Sequence, residues 1–202
     1  MNNTTLTELI CTRINHDIIG NVGAVANAVE LLDEGDMDFI DDINKILKTS
    51  SFTMSARLKF FRLAFGMGNT TMASVDDLRD VIKDYLKTIG NANYGIVLEL
   101  DIENLEFYKA AMLLAMIGAD LFIKGGKILI VQRDDNIEMV CSSESSINNE
   151  KSDGVKAIVN GVDIEKAAKY APVYYLQEIL INLNYVIAIR EKESFGLLIK
   201  KG

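Results

Sequence analysis

The first third of the chain carries hydrophobic residues three and four positions apart, the spacing that places side chains on one face of an α-helix. One pattern runs from Thr5 to Asp33, and a second runs from Phe39 to Phe65. The turn is predicted at Asp33–Asp36, where Gly35 can adopt a left-handed conformation. Three small polar residues at 49–51 interrupt the second stripe and mark a candidate break. The pattern therefore predicts a hairpin of two long helices.

The apolar stripe of the first helix has the regular spacing of a packed helical seam. Its members are Ile14, Ile18, Val22, Val25, Val29 and Leu32. Two helices alone cannot bury both apolar faces, and pairing with a second copy as a four-helix bundle is the usual solution. The alternative is packing against the rest of the same chain. The pattern favours the dimer.

The remainder of the chain mixes helical and strand-like patterns. A linker is predicted at 66–73, and Ser74 with Asp77 forms a helix-capping signal. Helices are predicted at 75–89, 105–122 and 173–183, strands at 94–100, 127–132, 137–141, 185–190 and 195–200, and a polar loop at 142–153. The chain is therefore predicted to be α+β, with a helical hairpin over residues 1–70 followed by an α/β sandwich over 74–202.

Composition narrows the function classes. The chain has 202 residues and a net charge of −8, which disfavours direct binding of nucleic acid. Its longest apolar run, 110–119, is too short to span a bilayer, and the first residues do not resemble a signal peptide. Two distant cysteines, Cys11 and Cys141, indicate a reducing cytoplasm.

His16 is the only histidine, so any chemistry that needs an imidazole depends on it. Two isolated cysteines and one histidine make a zinc site improbable. His16 lies two residues from Ile14 and from Ile18, so it is predicted to face away from the seam. A neutral imidazole beside Asp17 suits nucleophilic work, because the carboxylate can orient the ring or accept a proton.

The face of the helix that carries His16 continues through Ile19, Gly20, Gly23 and Asn27. A glycine inside a helix costs about 1 kcal/mol relative to alanine, and nothing local offsets that cost. Close approach by a partner surface is one explanation for this face. An ordinary surface histidine with incidental glycines is the other, and spacing alone does not decide between them.

Two stretches resemble a known family. Residues 16–25, HDIIGNVGAV, are similar to the phosphoacceptor box of histidine kinases. Together with ELL at 30–32 and ARLKFFRLAFG at 56–66, they resemble the alphaproteobacterial histidine phosphotransferases of the ChpT family, whose second domain is a degenerate ATPase-like domain. The resemblance covers the whole chain. It implies that His16 is phosphorylated and that Asp17 is its acidic partner.

The sequence departs from the family pattern just after the histidine. The usual proline five residues on is Asn21, and the residue four positions on, which positions water in kinases that are also phosphatases, is Gly20. Phosphatase activity is therefore left open, whereas the nucleophile is unaffected.

The signals for ATP chemistry are missing. The asparagines expected on the phosphate-binding helix are Ala115 and Gly118, and Asp120 is the only candidate ligand there. No Asp-x-Gly-x-Gly occurs in the chain. We therefore expect no cofactor and no metal in this protein, with the magnesium carried by a partner receiver domain.

A small basic cluster follows on the second helix, at Arg57, Lys59 and Arg62. One interpretation is contact with a phosphorylated partner near His16. The other is a solvated helix face, or pairing with Asp41 or Asp42. The solvated face is the preferred interpretation.

The resemblance implies a cytoplasmic, homodimeric phosphotransfer protein. His16 would take a phosphoryl group from the receiver of a hybrid histidine kinase and pass it to downstream response regulators, without ATP. The alternatives are an autophosphorylating histidine kinase and a dimeric adaptor without enzymatic activity. The face that includes Ile19, Gly20, Gly23 and Asn27 would bind the partner.

Overall fold

The computed structural model describes residues 2–34, 39–66, 72–90, 94–162, 164–190 and 194–202. Within these ranges the helices are α1 Asn3–Asp33, α2 Ile40–Phe65, α3 Val75–Lys87, α4 Tyr108–Leu121, α5 Asn149–Val159 and α6 Ala171–Asn182, with a 3-10 turn at Ala168–Tyr170. The strands are β1 Ile96–Asp101, β2 Gly126–Arg133, β3 Asn136–Ser142, β4 Tyr185–Ile189 and β5 Phe195–Lys201. The predicted α+β class is confirmed. None of these helices combines the length and apolar character needed to cross a membrane.

The predicted helical hairpin is present as α1 and α2. The Asn2 side chain accepts a hydrogen bond from the Thr5 amide and starts α1, as an N-cap residue should. The predicted break at 49–51 is wrong, because α2 is continuous and Ser50 is buried within it. Serine and threonine lower helix propensity by only a few tenths of a kcal/mol, which packing readily offsets. The predicted turn at Asp33–Asp36 begins where α1 ends, at Asp33, and its residues 35 and 36 lie outside the described residues.

Five strands form one mixed sheet in the order β1-β2-β3-β5-β4. Only β1 and β2 are parallel, and both predicted hairpins, β2–β3 and β4–β5, are present. Helix α4 lies against the centre of the sheet, where a side chain at Gly118 would come within 2.9 Å of the Cys141 sulfur. The glycine therefore lets α4 approach β3 closely, which positions the end of this helix and Asp120 with it.

The predicted polar loop at 142–153 is wrong from residue 149 onward. There α5 begins, and the Asn148 side chain caps it by accepting a hydrogen bond from the Lys151 amide. The apolar face of this helix consists of little more than Val155 and Ile158. So short a stripe is difficult to recognise in sequence, and burial against the rest of the domain stabilises the helix instead.

The base of the hairpin shares a hydrophobic core with the sheet domain. The Phe60 ring of α2 stacks on the Tyr85 ring of α3 with centroids 3.9 Å apart, and Phe61 meets Tyr85 edge-on. Partly buried Ile14 and Ile18 of α1 pack against the same core. The division at residues 70 and 74 stays a prediction, since 67–71 lie outside the described residues.

Candidate functional site

His16 lies on the exposed surface of α1, as its position relative to the apolar seam predicted. Its side chain is 84% exposed, and its Nδ1 atom is 3.3 Å from the Oδ1 atom of Asp17. The imidazole therefore has one nitrogen facing a carboxylate and the other, Nε2, available to solvent. This arrangement leaves a nitrogen accessible for attack on an external group.

Asp17, in contrast, is largely buried and held by two arginines. Its Oδ2 atom accepts a hydrogen bond of 2.8 Å from Nε of Arg13, one helical turn earlier. Its backbone carbonyl accepts a hydrogen bond from the Arg57 guanidinium of α2. The carboxylate beside His16 is therefore held on one side by a charged partner.

Arg13 also links α1 to the sheet domain. Its two terminal nitrogens donate to the two carboxylate oxygens of Asp120 in α4, each at 2.8 Å. Burial alone would lower the pKa of the Arg13 guanidinium, but the charge and hydrogen bonds of Asp120, with smaller contributions from Tyr85 and Asp17, raise it overall. Paired donors and acceptors of this kind are among the stronger ionic contacts in proteins.

The structure divides the predicted basic cluster into two parts. Arg57 is not a surface charge, because it also donates to the side-chain and backbone oxygens of Thr88, at 3.0 and 2.8 Å. It therefore ties α2 to the end of α3 rather than pairing with Asp41 or Asp42. Lys59 and Arg62 are exposed and form no ion pair with any described residue.

The glycine-containing face of α1 is open. Ile19 is 67% exposed, and Asn27 is exposed as well. Apart from the helix's own backbone and chain neighbours, a β-carbon added to Gly20 or Gly23 would meet no atom of the described residues within 4 Å. The packing of the described residues therefore does not require either glycine.

Sequence reasoning missed Arg13, and it considered Asp120 only as a metal ligand. The four-residue separation of Arg13 and Asp17 is a helical ion-pair signal that could have been found. The partnership with Asp120 spans 107 positions and leaves no local trace. A third neighbour, Tyr85, has a buried hydroxyl with no hydrogen-bond partner among the described residues, and burial together with the Asp120 charge raises its pKa.

The space beside Asp120 is small. The cavity there measures about 10 Å³ and is lined by residues of α4, α5, α6 and the 3-10 turn, among them Ile117, Tyr170 and Val173. That volume admits about one water molecule. Two open clefts of about 510 and 790 Å³ flank the 142–146 loop, and neither includes a residue of the His16 site.

The fold is that of a bacterial phosphotransferase. A solved structure so described, at 1.7 Å, superposes with a TM-score of 0.74 over 99% of this chain and 98% of its own, at 22% sequence identity. In sequence, the chain is 42% identical over 84 residues to the protein phosphotransferase ChpT of Brucella abortus (strain 2308). That match spans 41% of this chain and 39% of the relative. No family model matches the chain.

The two comparisons agree with each other. The relative confirms the resemblance to the ChpT family over the 84 residues that it matches, and the structural neighbour confirms the α+β architecture.

Proposed function

We propose that the protein is a histidine phosphotransferase that relays a phosphoryl group between the aspartates of receiver domains through His16. The observation that carries this proposal is the exposed imidazole of His16, whose Nδ1 lies 3.3 Å from the Asp17 carboxylate and whose Nε2 is open to solvent. The Asp17 carboxylate is itself held by a hydrogen bond from Arg13. The protein phosphotransferase relative and the phosphotransferase fold of the whole chain support it.

The transfer is a direct displacement at phosphorus. The Nε2 lone pair of neutral His16 attacks the aspartyl phosphate of the donor receiver, so that a nitrogen–phosphorus bond forms and the bond to the aspartate oxygen breaks. The donor carboxylate leaves, and the positive charge that develops on the ring is shared through Nδ1–H with Asp17. The reverse step on a second receiver restores neutral His16. Such transfers depend mainly on alignment and charge neutralisation.

The face that carries Ile19, Gly20, Gly23 and Asn27 is proposed to receive the receiver domain. Open space around both glycines would allow the partner backbone to approach α1 directly.

The hairpin is proposed to dimerise into a four-helix bundle. Large apolar side chains remain exposed along it in the single chain: Val22, Val29, Leu32, Phe39, Ile46 and Leu58. Exposed apolar patches on globular proteins commonly mark sites of interaction with another protein. A second copy of the chain would cover these side chains, because its own hairpin presents the same apolar residues.

The small cavity beside Asp120 argues against a nucleotide at that position, where the kinase alternative would place it. Sites for small ligands commonly measure 300 Å³ or more, far above the space found there. Both carboxylate oxygens of Asp120 are also paired with Arg13. We therefore propose that the protein works without ATP and that the magnesium needed for transfer belongs to the receiver.

Partners and location follow from the same proposal. The donor is the receiver domain of a hybrid histidine kinase, and the acceptors are downstream response regulators. Cys11 and Cys141 are both free thiols, as is typical of the cytoplasm, where we place the protein. Nucleic acid and membrane have no part in this proposal.

Replacement of His16 tests the proposal. His16→Gln removes the only imidazole of the chain, so we expect no radiolabel uptake from a phosphorylated receiver, with unchanged folding because the side chain is exposed. Asp17→Asn keeps the nucleophile, and we expect uptake slowed roughly 10²- to 10⁴-fold. The adaptor alternative predicts no uptake by the wild-type protein. Label retained by His16→Gln, or label stable to acid, would contradict the relay.

A further inference from the structure

We propose that Asp120, on helix α4 of the sheet domain, is a positioning residue for phosphoryl transfer at His16. It acts through Arg13, which in turn holds Asp17. This inference rests on the proposed function, and it gives the sheet domain a direct part in the chemistry. Asp120 itself touches neither His16 nor the phosphoryl group.

Asp120 and Arg13 form a paired contact between the sheet domain and α1. The two side chains are only 15% and 11% exposed, and two parallel hydrogen bonds of 2.8 Å join them. Because a guanidinium is planar and rigid, fixing both terminal nitrogens also fixes the direction of the Nε–H bond. Asp120 therefore determines where the remaining donor of Arg13 points.

Arg13 in turn contacts Asp17 within α1. The Nε atom donates to Oδ2 of Asp17 at 2.8 Å, which restricts rotation of the carboxylate. The other oxygen, Oδ1, then faces Nδ1 of His16 at 3.3 Å. A carboxylate held in this orientation favours the tautomer with the proton on Nδ1, and that tautomer leaves the lone pair on Nε2.

No other described group can replace Asp120 in this arrangement. Asp17 of α1 and Asp120 of α4 are the carboxylates that act on Arg13. Tyr85 of α3 faces the same cluster, but its buried hydroxyl has a raised pKa and stays neutral. Arg57 of α2 is cationic and engages the Asp17 backbone. Without the Asp120 charge, Arg13 loses its anchor outside α1.

The test compares Asp120→Asn with a matched control, Glu138→Gln, in the full-length protein. The control removes one partner of another interelement ion pair, that of Arg190 with Glu138 in the sheet. The first measurement is the ¹⁵N chemical shifts of the single imidazole, which report its tautomer. The second is the rate at which phosphoramidate phosphorylates His16, followed by ³¹P NMR. In that reaction the phosphorus–nitrogen bond of the donor breaks and ammonia leaves.

We expect the wild-type protein and Glu138→Gln to hold His16 mainly as the Nδ1–H tautomer. In Asp120→Asn we expect the tautomer excess to be lost and phosphorylation by phosphoramidate to be roughly tenfold slower, since small errors of position cost one to two orders of magnitude. Arg13→Lys keeps the positive charge but lacks the planar guanidinium that donates to Asp120 and Asp17 at once. It should therefore show the same two changes.

A purely structural bridge predicts a different outcome. It would lower the melting temperature of Asp120→Asn while leaving the tautomer and the rate at wild-type values, and that result would overturn the proposal. If Asp120→Asn does not fold, Arg13→Lys decides by the same two measurements. Failure of both variants to fold would likewise overturn the proposal in favour of a structural bridge.

The phosphoramidate assay separates this proposal from the proposed function, since it needs no receiver. Uptake from phosphoramidate without uptake from any phosphorylated receiver would contradict the relay and leave the positioning role standing. Relay activity that is equal in the wild-type protein and Asp120→Asn would contradict only the positioning role.

Discussion

Helices α1 and α4 differ most in how much of each helix is buried. In α1, which has 31 residues, only Leu6 and Ala28 are buried, whereas in α4, which has 14 residues, eleven are buried. Helix α4 is packed against the sheet and other helices and has little freedom left. Helix α1 carries His16, and its remaining surface is available to other molecules. The proposed nucleophile therefore lies on the least buried of the described helices.

The ion pairs around Arg13 are where the two helices meet. An exposed helix cannot orient a catalytic group by packing alone, and Arg13 extends the rigidity of α4 to the neighbourhood of His16. The comparison therefore indicates that the sheet domain anchors α1, the helix that carries the proposed phosphoacceptor His16.

The largest effect is expected from a charge placed in the apolar stripe of the hairpin. Val22→Asp should convert the proposed dimer to a monomer, because two carboxylates would be buried in the proposed bundle at a cost of several kcal/mol each. Light scattering at micromolar concentration measures the mass. Ile181→Asp alters an apolar residue on α6 that is 67% exposed, against 46% for Val22, and should leave the proposed dimer intact. A monomeric wild-type protein would contradict the proposed bundle.

A deletion in the densest part of the sheet domain should come next. Leu114→Ala removes a fully buried side chain of α4, and we expect a loss of about 2–5 kcal/mol in the free energy of unfolding. For a chain of this length that lowers Tm by roughly 2–4 °C for each kcal/mol. Ile123→Ala, at an exposed site just after α4, should change little. Equal effects of both variants in thermal unfolding would contradict the comparison.

If the exposed face of α1 binds a receiver domain, a substitution there can raise the stability of the helix and still slow the transfer reaction. Gly23→Ala should stabilise α1 by about 1 kcal/mol, since nothing in the chain blocks the added methyl group. Transfer from a phosphorylated receiver should slow down, while phosphorylation by phosphoramidate should not change. A stabilised variant with unchanged transfer from the receiver would show that the partner does not approach this face closely.

The smallest effect is expected from nucleotide. Millimolar ATP with magnesium should leave Tm unchanged, because the cavity beside Asp120, where the kinase alternative would place the nucleotide, holds only about 10 Å³ and the motifs for ATP are missing from the sequence. A ligand present at a hundred times its dissociation constant would contribute about 2.7 kcal/mol, which a thermal scan detects. A rise of several degrees would restore the kinase alternative.

Sequence periodicity predicted the elements whose patterns are long and regular. Both helices of the hairpin and both antiparallel strand pairs are found where spacing and turn residues placed them. The errors, the supposed break at 49–51 and the missing α5, lie where polar residues outweigh a short apolar signal. In both places burial against neighbouring elements stabilises a helix that local propensity does not predict.

For the site, the sequence by itself determined that His16 faces outward beside an acid, because a helix fixes the direction of each side chain relative to its neighbours. Tertiary structure alone decided that Arg13 meets Asp120 from a distance of 107 positions, and that Arg57 is an internal tie rather than a surface charge. The reason is physical. Helical periodicity is a local property that a few residues can specify. The partner of a buried charge is decided only when distant segments come together and exclude water.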